Sequence, residues 1–249
     1  MSSIVIIPAR MASTRLPGKP LAEIAGLPMI VRVWRSAVAA AIGPVMVAAA
    51  EAEIANAISR AGGTAVLTSP ALASGTDRVF AALESLDGKR EHETVVNLQG
   101  DLPLLDPEQL RRAVDTLETS GADIATLAAP IADPRDCDNP NVVKPVIAWR
   151  DGASWGRALY FTRARAPFGD GIFYHHIGIY AFRRKALERF VALPPSPLER
   201  RENLEQLRAL EAGMTIAVCQ VDEVPLSVDT PADLERVRAA AVSGSADER

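Results

Sequence analysis

Cysteine is scarce in this chain of 249 residues: only Cys137 and Cys219 occur, far apart and without metal-ligand spacing, so free thiols are expected rather than a disulfide framework. Histidine is nearly as rare. His92 stands alone and His175 and His176 are adjacent, which gives no zinc set. A basic excess is also missing, because the formal net charge is -4. That balance argues against a general nucleic-acid binder, so any phosphate site must be a local concentration of Arg and Lys. No stretch reaches the roughly eighteen apolar residues of a membrane span, and the N-terminus lacks the charged flank and long apolar core of a signal peptide. A cytoplasmic protein without membrane insertion is the expectation. With 48% hydrophobic and 23% charged residues, the chain is expected to form one α/β domain over 1–242, with a polar, disordered tail at 243–249.

What is present concentrates in Ile4 to Ile30, IVIIPARMASTRLPGKPLAEIAGLPMI. The β-branched run Ile4 to Ile7 stops at Pro8, a loop carries Arg10, Arg15, Gly18 and Lys19, and Pro28 opens an amphipathic segment. This reads as strand, basic loop, helix. Such a loop places cations at the carboxyl end of a sheet, where open α/β folds bind ligands, and a polyphosphate is the natural guest. A solvated basic loop is the alternative, and the spacing is not that of the common glycine-lysine phosphate loop.

Helical spacing continues through Ile30, Val33, Trp34, Ala37 and Val38. Strands are expected at Pro44 to Ala49, Thr64 to Leu67 and Glu93 to Leu98, alternating with helices at Glu51 to Ala61 and Asp77 to Leu86. This order implies right-handed parallel crossovers. Ser74, Gly75 and Thr76 open the second of these helices, either as an ordinary N-cap or as backbone donors to a nucleotide. Asp101 follows a buried strand and Gln99-Gly100. It is either a turn former or a carboxylate placed to hold Mg²⁺ against phosphate oxygens.

The second half contains more strand-to-strand turns, which suggests an antiparallel subregion at roughly 130–215. A strand is expected over His175 to Arg184 and a single helix over Pro195 to Gly213, with Leu198, Leu204, Leu207 and Leu210 largely on its apolar side. Asp229 precedes Thr230-Pro231 and reads as a helix cap on local grounds.

The string IIPARMASTRLPGKPL resembles the signature of nucleotide-sugar pyrophosphorylases of the glycosyltransferase-A-like fold, and within them the 3-deoxy-D-manno-octulosonate (Kdo) cytidylyltransferase family. SGTDR, VVNLQGD, NPNVVK, ALYFTRARAPF, HHIGIYAFRR, PLERRENLEQLR and VDTPADLERVR resemble further segments of that family in the same order. The resemblance implies a Rossmann-like three-layer α/β/α sandwich with a mixed, mainly parallel sheet. It also implies transfer of CMP from CTP to Kdo, releasing diphosphate, for lipopolysaccharide biosynthesis. Mg²⁺ is the implied cofactor and a homodimer the implied assembly.

Carried onto this chain, the resemblance assigns the nucleotide to Pro8, Ala9, Arg10, Arg15, Leu16, Lys19, Ser74, Gly75, Thr76, Arg78, Gln99 and Gly100. The sugar acid falls to Gln99, Arg163, His176, Tyr180, Glu205 and Gln206, and the metal to Asp101 and Asp229. Arg10, Lys19, Asp101 and Asp229 form the implied catalytic set. Two positions depart from the family pattern. Leu102 stands where an acidic residue is common after Gln-Gly-Asp, and Ala50 stands where related enzymes often have Asp. The segment between Phe168 and Tyr174 is also shorter than in some relatives.

Overall fold

The computed structural model describes residues 2–13 and 15–247, with side chains described as far as Ser243. In chain order the elements are β1 (Ser3–Ala9), β2 (Glu23–Ile24), β3 (Leu27–Pro28), α1 (Met29–Ala39), β4 (Val45–Ala49), α2 (Ala52–Arg60), β5 (Thr64–Leu67) and α3 (Gly75–Leu86). They continue with β6 (Thr94–Asn97), α4 (Pro107–Ser120), β7 (Ile124–Pro130), β8 (Lys144–Trp149), β9 (Trp155–Thr162) and β10 (Tyr174–Arg183). The last are α5 (Arg184–Ala192), α6 (Pro197–Glu202), α7 (Gln206–Glu211), β11 (Ile216–Gln220) and α8 (Pro231–Asp247). Two compact units emerge, Met1–Leu110 with Pro225–Arg249, and Arg111–Val224. The expected acceptor subregion lies inside the second. Most of the tail expected to be disordered lies outside the described side chains; the backbone of α8 runs through Ser243 to Asp247.

In the first unit the strands run in the order β5, β4, β1, β6, all parallel. Every residue of β1 is buried, as expected for a β-branched run covered on both faces. Helix α1 buries Met29, Ile30, Val31, Val33 and Ala37, whereas Val38, read as part of that stripe, is 47% exposed. The hairpin of β2 and β3 was not foreseen. It turns through Ala25 at φ 43° and Gly26 at φ 75°, the paired left-handed conformations of a tight two-residue turn. Ile24 of that hairpin joins Met29, Val228, Leu234 and Val237 in a buried cluster, so α8 is anchored beside the basic loop.

In the second unit the order is β10, β7, β11, β9, β8, with β11 parallel to β7 and the other pairings antiparallel. The expected single helix at 195–213 is two. Asn203 adopts a left-handed conformation, φ 55° and ψ 50°, ending α6, and Leu204 N–H turns back to the Glu199 carbonyl. Asn tolerates that conformation better than other non-glycine residues, but the apolar spacing runs on through it.

Candidate active site

A cleft of about 370 Å³ opens in the first unit, at the end of β1. Pro8, Ala9, Arg10 and Arg15 line it together with Lys19, Ser74, Gly75, Arg78, Gln99, Gly100, Asp101 and Asp229. Parallel pairing sets this up. With β1 between β4 and β6, the segments following both β1 and β6 leave at the same edge, and the basic loop and Gln99-Gly100-Asp101 share that edge. Gly100 is held close to β1: a β-carbon there would lie 3.1 Å from the Pro8 carbonyl oxygen and 3.3 Å from Ile30 Cδ1.

The loop is held at both ends. Met11 N–H donates to Glu51 Oε2 at 2.9 Å, and Gly18, at φ 72°, starts the 3-10 turn Lys19–Leu21. Glu51 thus supplies a carboxylate beside the position where Ala50 lacks one, although it holds the loop backbone. At the other departure Leu102 is buried, so an apolar side chain out of contact with solvent stands where a carboxylate is common.

Lys19 lies at the centre. Its Nζ donates to Asp101 Oδ2 at 3.0 Å, to Asp229 Oδ1 at 3.2 Å and to the Val228 carbonyl at 2.8 Å. Arg15 Nη2 also reaches Asp229 Oδ1 at 3.1 Å. Asp229 comes to Asp101 through the backbone, because Val228 N–H donates to the Asp101 carbonyl at 3.0 Å. The local reading of Asp229 as a helix cap is corrected. Thr230 Oγ1 accepts from Asp233 N–H, and the Asp229 carboxylate is left for the cations.

Ser74 caps α3 as local reasoning expected, accepting from Asp77 N–H at 3.1 Å, and it lines the cleft as well. The two readings are compatible, since the cap fixes the first turn whose remaining N–H groups face outward. Ser74→Ala is expected to lower stability by about 1 kcal/mol; an unchanged denaturant midpoint would contradict the cap. Arg78 is buried and donates through Nη1 to Thr68 Oγ1 and the Ser69 carbonyl. Burial, and then the charge of Arg10, lower its pKa from the ordinary arginine value, while Glu51 works in the opposite direction.

Leu16 and Thr76 are not at the cleft surface. Leu16 packs against the cluster around Ile24 and Val228, and Thr76 is buried with its Oγ1 accepting from Asn97 Nδ2 at 3.4 Å. Conversely Ala12, Ser13 and Pro20 line the cleft without having been singled out. Their membership of the basic loop was the only available signal.

The donor set suits a hard divalent cation. Two carboxylates and a carbonyl, all oxygen donors, already converge on one cationic nitrogen, and Mg²⁺ favours few protein carboxylates with phosphates and water completing the shell. Among the described residues no group of three or more His, Cys, Asp or Glu side chains gathers as an all-protein metal cage.

The residues assigned to the sugar acid, other than Gln99, lie in the second unit. His176 pairs with Ala128 of β7, one residue before the stretch from Ile177 to Tyr180 where the register of β10 against β7 shifts. Thr126 Oγ1 lies 3.0 Å from His176 Nε2 and is within bonding distance of the Ile177 and Ile179 carbonyls. Phe161 and Tyr180 flank the imidazole, with ring centroids 5.0 and 5.5 Å away. Although part of the residue stays accessible, burial of the ring and then the His175 charge push the His176 pKa down to about 3. Burial, with Glu205 next, raises that of the Tyr180 phenol. Both groups are therefore neutral hydrogen-bonding partners at neutral pH.

Because unfolded histidine takes up a proton near its ordinary value of 6.5, His176 favours folding above that pH, and its contribution falls steadily as pH drops toward 3. An NMR titration should show no His176 protonation between about pH 5 and 8; a midpoint near 6.5 would contradict the buried neutral ring.

Arg163 is clamped rather than free. Its Nε, Nη1 and Nη2 donate to the carbonyls of Glu202, Pro140 and Asn203, and its own N–H reaches Glu202 Oε2 at 2.9 Å. Beneath it Lys144, fully buried, donates to the carbonyls of Asn139, Val142 and Arg163. Glu205 is the N-cap of α7 and Gln206, its first residue, is buried. The helix interruption at Asn203 places both directly after the carbonyls that Arg163 holds.

The cytidylyltransferase family profile matches residues 4–216. The 3-deoxy-manno-octulosonate cytidylyltransferase of Parvibaculum lavamentivorans is 63% identical over 237 residues, covering 95% of this chain and 92% of that protein. The enzyme of the same name from Methylobacterium radiotolerans is 60% identical over 236 residues, covering 95% of each chain. A solved structure described as CMP:2-keto-3-deoxy-manno-octonic acid synthetase complexed with CTP superposes with a TM-score of 0.91 at 35% identity. It covers 98% of this chain and 100% of that one. No helix among the described residues is long and apolar enough to cross a membrane.

Proposed function

This chain belongs to the cytidylyltransferase family, and we propose that it transfers CMP from CTP to 3-deoxy-D-manno-octulosonate, forming CMP-Kdo and diphosphate. The observation that carries this reading is the cleft lined by Arg10, Arg15 and Lys19, in which Lys19 meets Asp101 and Asp229 and Arg15 meets Asp229, a charge arrangement suited to a triphosphate with a divalent cation.

The anomeric C2 hydroxyl attacks the α-phosphorus in line, a new P–O bond forms, the bond to the bridging oxygen breaks, and diphosphate leaves. No covalent enzyme intermediate is needed. Catalysis then rests on positioning and on neutralising charge. Arg10, Arg15 and Lys19 bind the triphosphate, the guanidinium groups as forks and the ammonium as a point charge. Pro8 and Ala9 end the buried β1 and give the base a rigid wall, while Gly75 and the capped start of α3 offer backbone donors. Asp101 and Asp229 are the residues that would hold Mg²⁺, which would supply Lewis-acid polarisation of the α-phosphate and ease ionisation of the attacking hydroxyl. For the acceptor, the second unit offers the neutral His176 and Tyr180 as hydroxyl partners, the Gln206 amide, and the outer edge of the Arg163 guanidinium for a carboxylate.

A cytoplasmic homodimer working in lipopolysaccharide biosynthesis completes the proposal, by family likeness; mass measurement in solution tests the dimer. The decisive assay is diphosphate release from CTP and Mg²⁺ with Kdo, its 8-amino analogue and sialic acid supplied separately. Fast release with Kdo alone is the expected result. Preference for another acid would change the substrate, and CTP binding without release on any acid would overturn the enzymatic reading.

A further inference from the structure

Lys19, expected to meet the triphosphate, is bonded instead to the carboxylates that would hold the metal. All three Nζ contacts, to Asp101, Asp229 and the Val228 carbonyl, go to this one cluster of oxygens, and its side chain is only 17% exposed. The root of the side chain is fixed: Lys19 N–H donates to the Leu16 carbonyl at 3.1 Å, and Pro20 follows within the 3-10 turn. Arg15 shares Asp229 Oδ1 from the solvent side, with its side chain 60% exposed. Two cations, Lys19 and Arg15, therefore lie against the two carboxylates.

We propose that Lys19 is a tethered cation that keeps the divalent-metal site closed until a nucleoside triphosphate draws its ammonium away. This rests on the reading of Asp101 and Asp229 as metal ligands. A divalent ion entering beside an ammonium on the same oxygens meets strong like-charge repulsion in a partly desolvated cleft, and the ammonium must leave first. The apparent metal affinity of the free protein is then the intrinsic affinity scaled down by the fraction of molecules in which Lys19 has swung out. A triphosphate carries more negative charge than the carboxylate pair, so it recruits Lys19 and Arg15 and exposes the carboxylates as it binds. Metal entry is coupled to nucleotide entry, and departure of diphosphate returns the ammonium to its carboxylates.

The test is Mn²⁺ binding followed by the loss of the free-ion EPR signal, without acceptor and with the Mn²⁺–CTP blank subtracted. In the absence of nucleotide, Lys19→Met and Lys19→Gln should each bind Mn²⁺ on the order of tenfold more tightly than wild type. The two variants, checked for folding by thermal melting, guard against an effect of one replacement. Affinity equal to or weaker than wild type in both would overturn the proposal. Repeating the titration with CTP on wild type, Asp101→Asn and Asp229→Asn separates the two ideas. If these carboxylate changes weaken Mn²⁺ binding but the Lys19 variants show no tightening, the metal ligands stand and the tethered cation falls. If they change nothing, the carboxylates are not ligands and both fall together.

Discussion

Asp101→Asn should lower kcat by about a hundred- to a thousandfold at saturating Mg²⁺, CTP and Kdo, a loss of about 2 to 4 kcal/mol of transition-state stabilisation by analogy with removing one preorganised oxyanion donor. The replacement keeps shape and leaves the fold intact. The link that brings Asp229 to this point runs from Val228 N–H to the Asp101 backbone carbonyl, which asparagine retains. What is lost is one negative charge facing Lys19 Nζ at 3.0 Å, and with it half of the carboxylate pair proposed to hold Mg²⁺. A wild-type melting curve with the turnover loss would place the effect in chemistry. Near-normal turnover at saturating Mg²⁺ would refute the assigned role.

The largest stability effect is expected in the second unit, at Glu199→Ala. Glu199 accepts from Arg208 through both oxygens, at 2.8 and 2.5 Å, and each side chain is only 10% exposed. Arg208 also donates to the Leu193 carbonyl and lies over the Phe190 ring, 4.9 Å from its centroid. Glu199 closes the capping box of α6 by accepting from Ser196 N–H at 2.9 Å. Deleting the carboxylate removes the charge partner of a buried guanidinium, so the cost should be about 3 to 5 kcal/mol, with a fall in Tm on the order of 10 °C. A shift of only a degree or two would show that water reaches Arg208 readily.

The same residue sets an acid limit. Burial by itself raises the Glu199 pKa, but the bonds from Arg208 and Ser196 outweigh it and the net value is lowered. Its stabilisation is therefore full above the unfolded carboxylate's ordinary value and is lost as pH falls through the lower folded one. The alanine variant should lack that part of the acid unfolding curve. Function is linked to this pair, because α6 ends in the Glu202 and Asn203 carbonyls that Arg163 grips, with Glu205 and Gln206 immediately beyond.

The first unit was legible where local pattern and tertiary environment agree. A β-branched run cut by proline, followed by Arg10, Arg15, Gly18 and Lys19, specified both a buried parallel strand and a cationic loop at its carboxyl end, and β1 and the cleft have that form. Helix α3 and its Ser74 cap were readable for the same reason, since the cap is a contact within four residues. The break between α6 and α7 was not, because Asn203 carries no glycine or proline signal and the leucine spacing continues across it. Nor did periodicity show that Leu16 turns toward Val228, a neighbour that only folding supplies.

By itself the sequence determined the strand-loop-helix order, the type of charge at the cleft and the family, because these depend on residue type and short spacing. The tertiary structure decided which charges meet. Asp229 looks like a cap until Thr230 takes that task and the backbone at Val228 delivers the carboxylate to Asp101. Lys19 looks like a phosphate ligand until the fold sets it between two carboxylates and a carbonyl. Electrostatic partnership depends on distances of a few ångströms between segments far apart in the chain, and only the packed fold sets those distances.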